Sequence, residues 1–116
     1  MSLQLYHNPR CSKSRAALAL LEEMGRPFET VLYLKTPPSA AELKEIVQRL
    51  GFSSARELMR TGEASYKELG LAKEVSEPAL LAAMSANPVL IERPILVGAE
   101  VAAIGRPIEN LMRLLD

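Results

Sequence analysis

The sequence predicts one α/β domain over residues 1–116, with a mixed sheet assembled in the order β-α-β, a helical insert, then β-β-α. Three observations lead there. The apolar residues switch between a strand period of two and a helical period of 3.6. Glycine and proline fall between the periodic runs and divide them cleanly. A chain of 116 residues that is 48% hydrophobic has enough apolar side chains for one real core.

The elements follow in order. Leu3-Gln4-Leu5-Tyr6 alternates and meets Asn8-Pro9, so it reads as a short strand entering a turn. Ala17, Leu18, Leu21 and Met24 have helical spacing within Ser12–Met24, and Gly25 suits the position just past the helix end. The β-branched, apolar run Thr30-Val31-Leu32-Tyr33-Leu34 predicts a second strand, broken by Pro37-Pro38. Ser39 and Glu42 form a capping box ahead of Leu43, Ile46, Val47 and Leu50, with Gly51 closing that helix. Ser54 and Glu57 repeat the box before a short helical piece that ends at Arg60, ahead of Gly62. Ser65–Leu69 suggests one more helical turn. Ser76 caps a helix through Leu80, Leu81 and Met84, stopped by Asn87-Pro88. Pro94–Val97, Gly98 and Val101–Ile104 predict a hairpin. Pro107 takes the first position of a final helix carrying Ile108, Leu111, Met112 and Leu115. A βαβ unit followed by ββα, with a cysteine opening the first helix, suggests a thioredoxin/glutaredoxin-like mixed sheet. The helical insert covers roughly residues 39–87.

Composition narrows the function. Net charge is zero, which argues against binding nucleic acid or a membrane surface through bulk charge, though not against a local basic pocket. No apolar run approaches the ~20 residues of a membrane span, and no secretory signal is expected from Met1–Tyr6. The single cysteine excludes an internal disulfide. One Cys and one His do not make a zinc site, so no metal is expected. The expected setting is a reducing cytoplasm.

That cysteine is the chemical centre of the sequence. Cys11 lies in "YHNPRCSKSR" between a strand end and a helix start, where free backbone N–H groups and the positive end of the helix dipole favour a thiolate. Arg10, Lys13 and Arg15 add positive charge nearby. His7 is a candidate base, an orienter of the thiol, or a turn residue. Ser14 stands where the second cysteine of a Cys-x-x-Cys pair would be. It is a candidate hydroxyl donor to the sulfur or an ordinary first-turn residue. Arg60, Arg93 and Arg106 lie at ends of predicted elements, the last two at Arg-Pro junctions. Arginine's planar fork holds tetrahedral oxyanions bidentately, so a thiolate beside such residues is a nucleophile with an oxyanion pocket.

Five blocks, "YHNPRCSKSR", "LYLKTPPSAAEL", "YKELGLA", "NPVLIERPILV" and "GRPIENLMRLL", together resemble the glutaredoxin-coupled arsenate reductase family (the ArsC family) in order and spacing over essentially the whole chain. The resemblance implies a thioredoxin-like fold with a helical insert and a cis bond before Pro94. It maps the active-site segment onto His7, Asn8, Pro9, Cys11 and Ser14, and the oxyanion-binding arginines onto Arg60, Arg93 and Arg106. It implies attack of the Cys11 thiolate on arsenate, with glutathione and glutaredoxin as external thiols and no bound cofactor. The residues agree on one point: with no second cysteine, an outside thiol must resolve the adduct. Two other readings stay open. One is a glutathione-dependent thiol reductase for another substrate. The other is a redox and transcriptional regulator of the Spx-like kind, which typically uses a Cys-x-x-Cys switch that Ser14 removes here.

Overall fold

A computed structural model describes residues 3–115; Met1, Ser2 and Asp116 lie outside the described residues. Two compact units divide the chain. The first runs up to Thr36 and resumes at Arg93, and the second is Pro37–Glu92.

The first unit is a sheet with helices on one face. Strand β1 (Leu3–Tyr6) leads through the cysteine loop into α1 (Ser12–Met24), and β2 (Phe28–Val31) returns parallel to β1. After residue 93, β3 (Ile95–Val97) and β4 (Ala102–Ile104) form an antiparallel hairpin, closed by the Gly98 N–H donating to Val101 O at 2.8 Å. The strand order is β2-β1-β3-β4, with β3 antiparallel to β1. Leu3, Leu5, Leu96 and Ala103 share one sheet face, because Leu5 pairs with Leu96 and Leu96 with Ala103. Against them pack Ala17 and Leu21 of α1, and Leu111 and Leu115 near the C-terminus. Helix α1 ends as its sequence predicts: Gly25 is left-handed (φ 67°) and its N–H reaches Glu22 O.

The second unit is helical. Helix α2 (Ala40–Leu50) opens on the complete Ser39/Glu42 capping box, and α3 (Ala64–Glu68) and α4 (Glu77–Ala86) follow. Ser54 and Glu57 form a second complete box on a 3-10 turn, Ala55–Leu58. Arg56 gathers this unit's loops by donating to Tyr66 Oη and to the Leu71 and Glu74 carbonyls.

Three elements differ from their sequence reading. The second strand ends at Val31 rather than running to Leu34. Its partner β1 ends at Tyr6, and the His7 N–H takes the Val31 carbonyl (2.9 Å); the Lys35 and Thr36 N–H groups then fold back onto Leu32 O. The helical piece after Ser54 stops at Leu58, because Met59 leaves it to pair with Ile91 and the Arg60 N–H donates to Leu90 O (2.7 Å). Pro107 is extended and precedes the final helical segment. That segment begins as a 3-10 turn, Ile108–Leu111, before α5 (Met112–Leu115).

Candidate active site

Cys11 is the residue that caps the N-terminus of α1, in extended conformation, and its side chain caps nothing. The loop before it is tightened by two Asn8 contacts: the Cys11 N–H donates to Asn8 O, and the Arg10 N–H to Asn8 Oδ1, both at 3.0 Å. The thiol is thereby held at the helix start and largely buried.

Burial is the largest single influence on this thiol and raises its pKa. The backbone N–H groups of Ser14 and Lys13, with the charge and side-chain hydrogen bond of Arg93, outweigh it and leave the thiol below its ordinary value. Arg106 Nη2 donates to the sulfur at 3.4 Å, while its Nε donates to Arg93 O at 2.8 Å. The structure therefore brings together Cys11, Arg93 and Arg106. The peptide bonds before Pro94 and Pro107 are both cis; the resemblance implies the first, and the second is a further feature of the structure.

His7 and Ser14 form a buried pair, with Nδ1 and Oγ 2.6 Å apart, and Ser14 Oγ also accepts the Asn8 N–H at 3.0 Å. The Ser14 hydroxyl thus serves His7 and the loop, and it is the Ser14 backbone N–H that faces the thiol. Seated at the start of α1 and buried among its own turns, Ser14 points its side chain back at the strand end. Burial lowers the His7 pKa from its ordinary value; the hydrogen bond with Ser14 opposes it and the Arg15 charge adds to it, so the balance disfavours the imidazolium.

Arg60 belongs to the second unit. Its guanidinium pairs with Glu63 Oε2 (3.1 Å) and Glu92 Oε1 (3.8 Å), so two carboxylates already share its charge.

Two positioning residues escaped the sequence reading. The Gly105 N–H donates to Pro94 O at 2.9 Å, and a Cβ there would stand 3.0 Å from Pro94 Cγ, so any side chain at this position would press the proline ring aside. Asn110 Nδ2 donates to Ile104 O (3.2 Å) and Arg106 O (3.3 Å), fixing the turn that carries Arg106. Their only trace in the sequence is the run "GRPIEN".

Residues 6–114 match the ArsC family. The chain belongs to the ArsC family. An arsenate reductase of Neisseria meningitidis (serogroup A, strain Z2491) is 52% identical over 114 residues, 97% of each chain. The YfgD protein of Escherichia coli (strain K12) is 54% identical over 113 residues, 97% of this chain and 95% of its own. The solved arsenate reductase of Vibrio cholerae superposes with a TM-score of 0.93 at 49% identity, covering 97% of both chains. The mixed sheet described above is thus the thioredoxin-like fold of the ArsC family. In this ArsC-family chain the cysteine loop and both Arg-Pro junctions lie within the first unit.

Proposed function

We propose that this protein is an arsenate reductase in which Cys11 is the nucleophile and Arg93 and Arg106 hold the oxyanion. The observation that carries the reading is the 3.4 Å contact of Arg106 with a sulfur whose pKa Arg93 also lowers. The names of the Neisseria and Vibrio relatives support the substrate.

Arsenate is a tetrahedral anion, and a thiolate must approach it. Unit charges ~4 Å apart repel by ~4 kcal/mol at an effective dielectric of ~20. The two guanidiniums offset that repulsion and hold the oxygens while charge rearranges at arsenic. Cys11 sulfur bonds to arsenic(V) and an arsenic-bound oxygen leaves as water or hydroxide. Glutathione sulfur then bonds to the same arsenic, and a second water leaves. A glutaredoxin thiolate attacks the glutathione sulfur. The arsenic–sulfur bond breaks with its electron pair left on arsenic, which becomes arsenic(III), and the mixed disulfide departs. Water releases arsenite and restores Cys11. The glutathione and glutaredoxin steps rest on the family resemblance and on the absence of a second cysteine. His7 and Ser14 act as a positioning pair for the loop; Arg60, which the resemblance also names, has its charge shared by Glu63 and Glu92 within the second unit. Reduction of this kind suits a cytoplasmic enzyme; among the described residues no helix is long and apolar enough to cross a membrane.

The test is arsenite production from arsenate with glutathione and glutaredoxin. Cys11→Ser abolishes turnover with the fold intact. Arg93→Ala or Arg106→Ala lowers arsenate kcat/KM by roughly 10²-fold, the scale of ~3 kcal/mol of transition-state stabilisation. Lysine at either position recovers part, because it restores charge but not the fork. Reduction of a neutral disulfide suffers much less. Equal loss of both activities, or no arsenate turnover by the wild type, overturns the reading in favour of a thiol reductase with another substrate.

A further inference from the structure

Two side chains of the C-terminal segment reach back onto the last strand of the sheet. Strand β4 lies at one end of the strand order, with β3 beside it. Arg113 Nη2 donates to Ala102 O at 3.2 Å, and Asn110 Nδ2 donates to Ile104 O at 3.2 Å. These anchors stand at opposite ends of β4. Ala102 pairs with Val97, next to the hairpin turn, whereas Ile104 pairs with Ile95, next to the arginine junctions.

Asn110 has a second task. Its Nδ2 also donates to Arg106 O at 3.3 Å, so both hydrogens of one carboxamide are used on the turn that leaves β4. With the Gly105 N–H on Pro94 O, consecutive residues Ile104, Gly105 and Arg106 each have a backbone group held. Asn110 itself is exposed, but its neighbour Leu111 is fully buried in the core and fixes the backbone from which the carboxamide extends. From this turn the Arg106 side chain spans to Arg93 O through Nε and to the Cys11 sulfur through Nη2. A long arginine side chain has many rotamers, so its reach to one sulfur depends on where its backbone stands.

We propose that Asn110 is a positioning residue for the reacting sulfur, aiming Arg106 at Cys11 by fixing the turn that carries it. Arg93 and the Ser14 and Lys13 N–H groups reach the sulfur from other elements. The effect on the thiol stands on the contacts above. The effect on arsenate rests on the reading that Arg106 holds the oxyanion.

The experiment compares Asn110→Ala with Arg113→Ala. Each removes an anchor from the same strand, but the Arg113 anchor lies at the end away from the arginine junctions. The first readout is the pH midpoint of Cys11 alkylation by iodoacetamide, which needs no arsenate. Asn110→Ala is expected to raise it, because a charged donor to the thiolate is displaced. Asn110→Ser, which keeps one O–H donor, recovers part of the shift. Arg113→Ala leaves the midpoint at the wild-type value. In an Arg106→Ala background Asn110→Ala adds no further shift, since the residue through which it acts is gone. Arsenate kcat/KM falls by about tenfold in Asn110→Ala, less than the ~10²-fold that a misplacement of ~1 Å can cost. Equal shifts in the Asn110 and Arg113 variants would mean general loosening of the strand and overturn the proposal. So would an unmoved midpoint, or a shift that persists without Arg106. A midpoint that moves as expected in a protein with no arsenate turnover supports the positioning role and defeats the arsenate reading, so the two can fail separately.

Discussion

At Cys11, burial and backbone donors pull the thiol in opposite directions, and the donors win with help from Arg93. The result is a sulfur that is shielded from solvent yet ionises early, which suits a nucleophile that must meet an anion. The sign is direct: a lowered pKa puts thiolate on the enzyme at a lower pH than on a free thiol. The rate of iodoacetamide alkylation should therefore rise with pH through a midpoint below ~8.5, the free-thiol value. Arg93→Met should move that midpoint upward, since it removes both a charge and a donor. A midpoint at or above the free-thiol value would contradict an activated site. His7 belongs to the same scale but does different work. Its buried contact with Ser14 ties the end of β1 to the first turn of α1, which holds the cysteine loop between them.

Elements, rather than single residues, decide where the arginines stand. The β3–β4 hairpin puts Arg93 and Arg106 beside each other because Ile95 pairs with Ile104, leaving both Arg-Pro junctions at one end of the hairpin. Gly105 lets those junctions close up. Gly105→Ala adds a Cβ 3.0 Å from the stiff Pro94 ring and 3.3 Å from Leu111 Cδ1. Overpacking of this kind costs ~1–3 kcal/mol. Thermal unfolding followed by circular dichroism should show the lower Tm. The alkylation midpoint of Cys11 should rise in the same variant, because the turn carrying Arg106 is displaced. A variant with wild-type Tm and midpoint would show that the fit at Gly105 is looser than described.

On the scale of the whole molecule, each compact unit has its own buried apolar set. Leu21 is fully buried in the first, and Leu80 is 1% exposed in the second. Truncating either to alanine should cost ~2–5 kcal/mol. That is a large share of the ~5–15 kcal/mol that stabilises a typical domain. Urea unfolding measures it: the midpoint falls in both variants. Loss below 1 kcal/mol at either position would mean that the site collapses around the cavity or is less packed than its burial indicates.

What the sequence determined by itself was local. Helix α1 ran from Ser12 to Met24 as its periodicity and Gly25 foretold, and both capping boxes formed, because periodicity and caps act within four residues. Cys11 was legible for the same reason: its helix-start position is a property of neighbouring residues. The ArsC blocks were legible because whole motifs, not single positions, carry them. Tertiary structure decided the rest. Where β2 ends depends on where its partner β1 stops, which the β-branched run at 30–34 could not report. The Ser14 hydroxyl turned to His7 and Asn8 because both strand end and helix start enclose it. Arg106 reaches a sulfur 95 residues away in sequence only because the register of the hairpin and the close fit at Gly105 bring it there. Contacts of that range are set by which strands pair and in what register, and no local pattern encodes that choice.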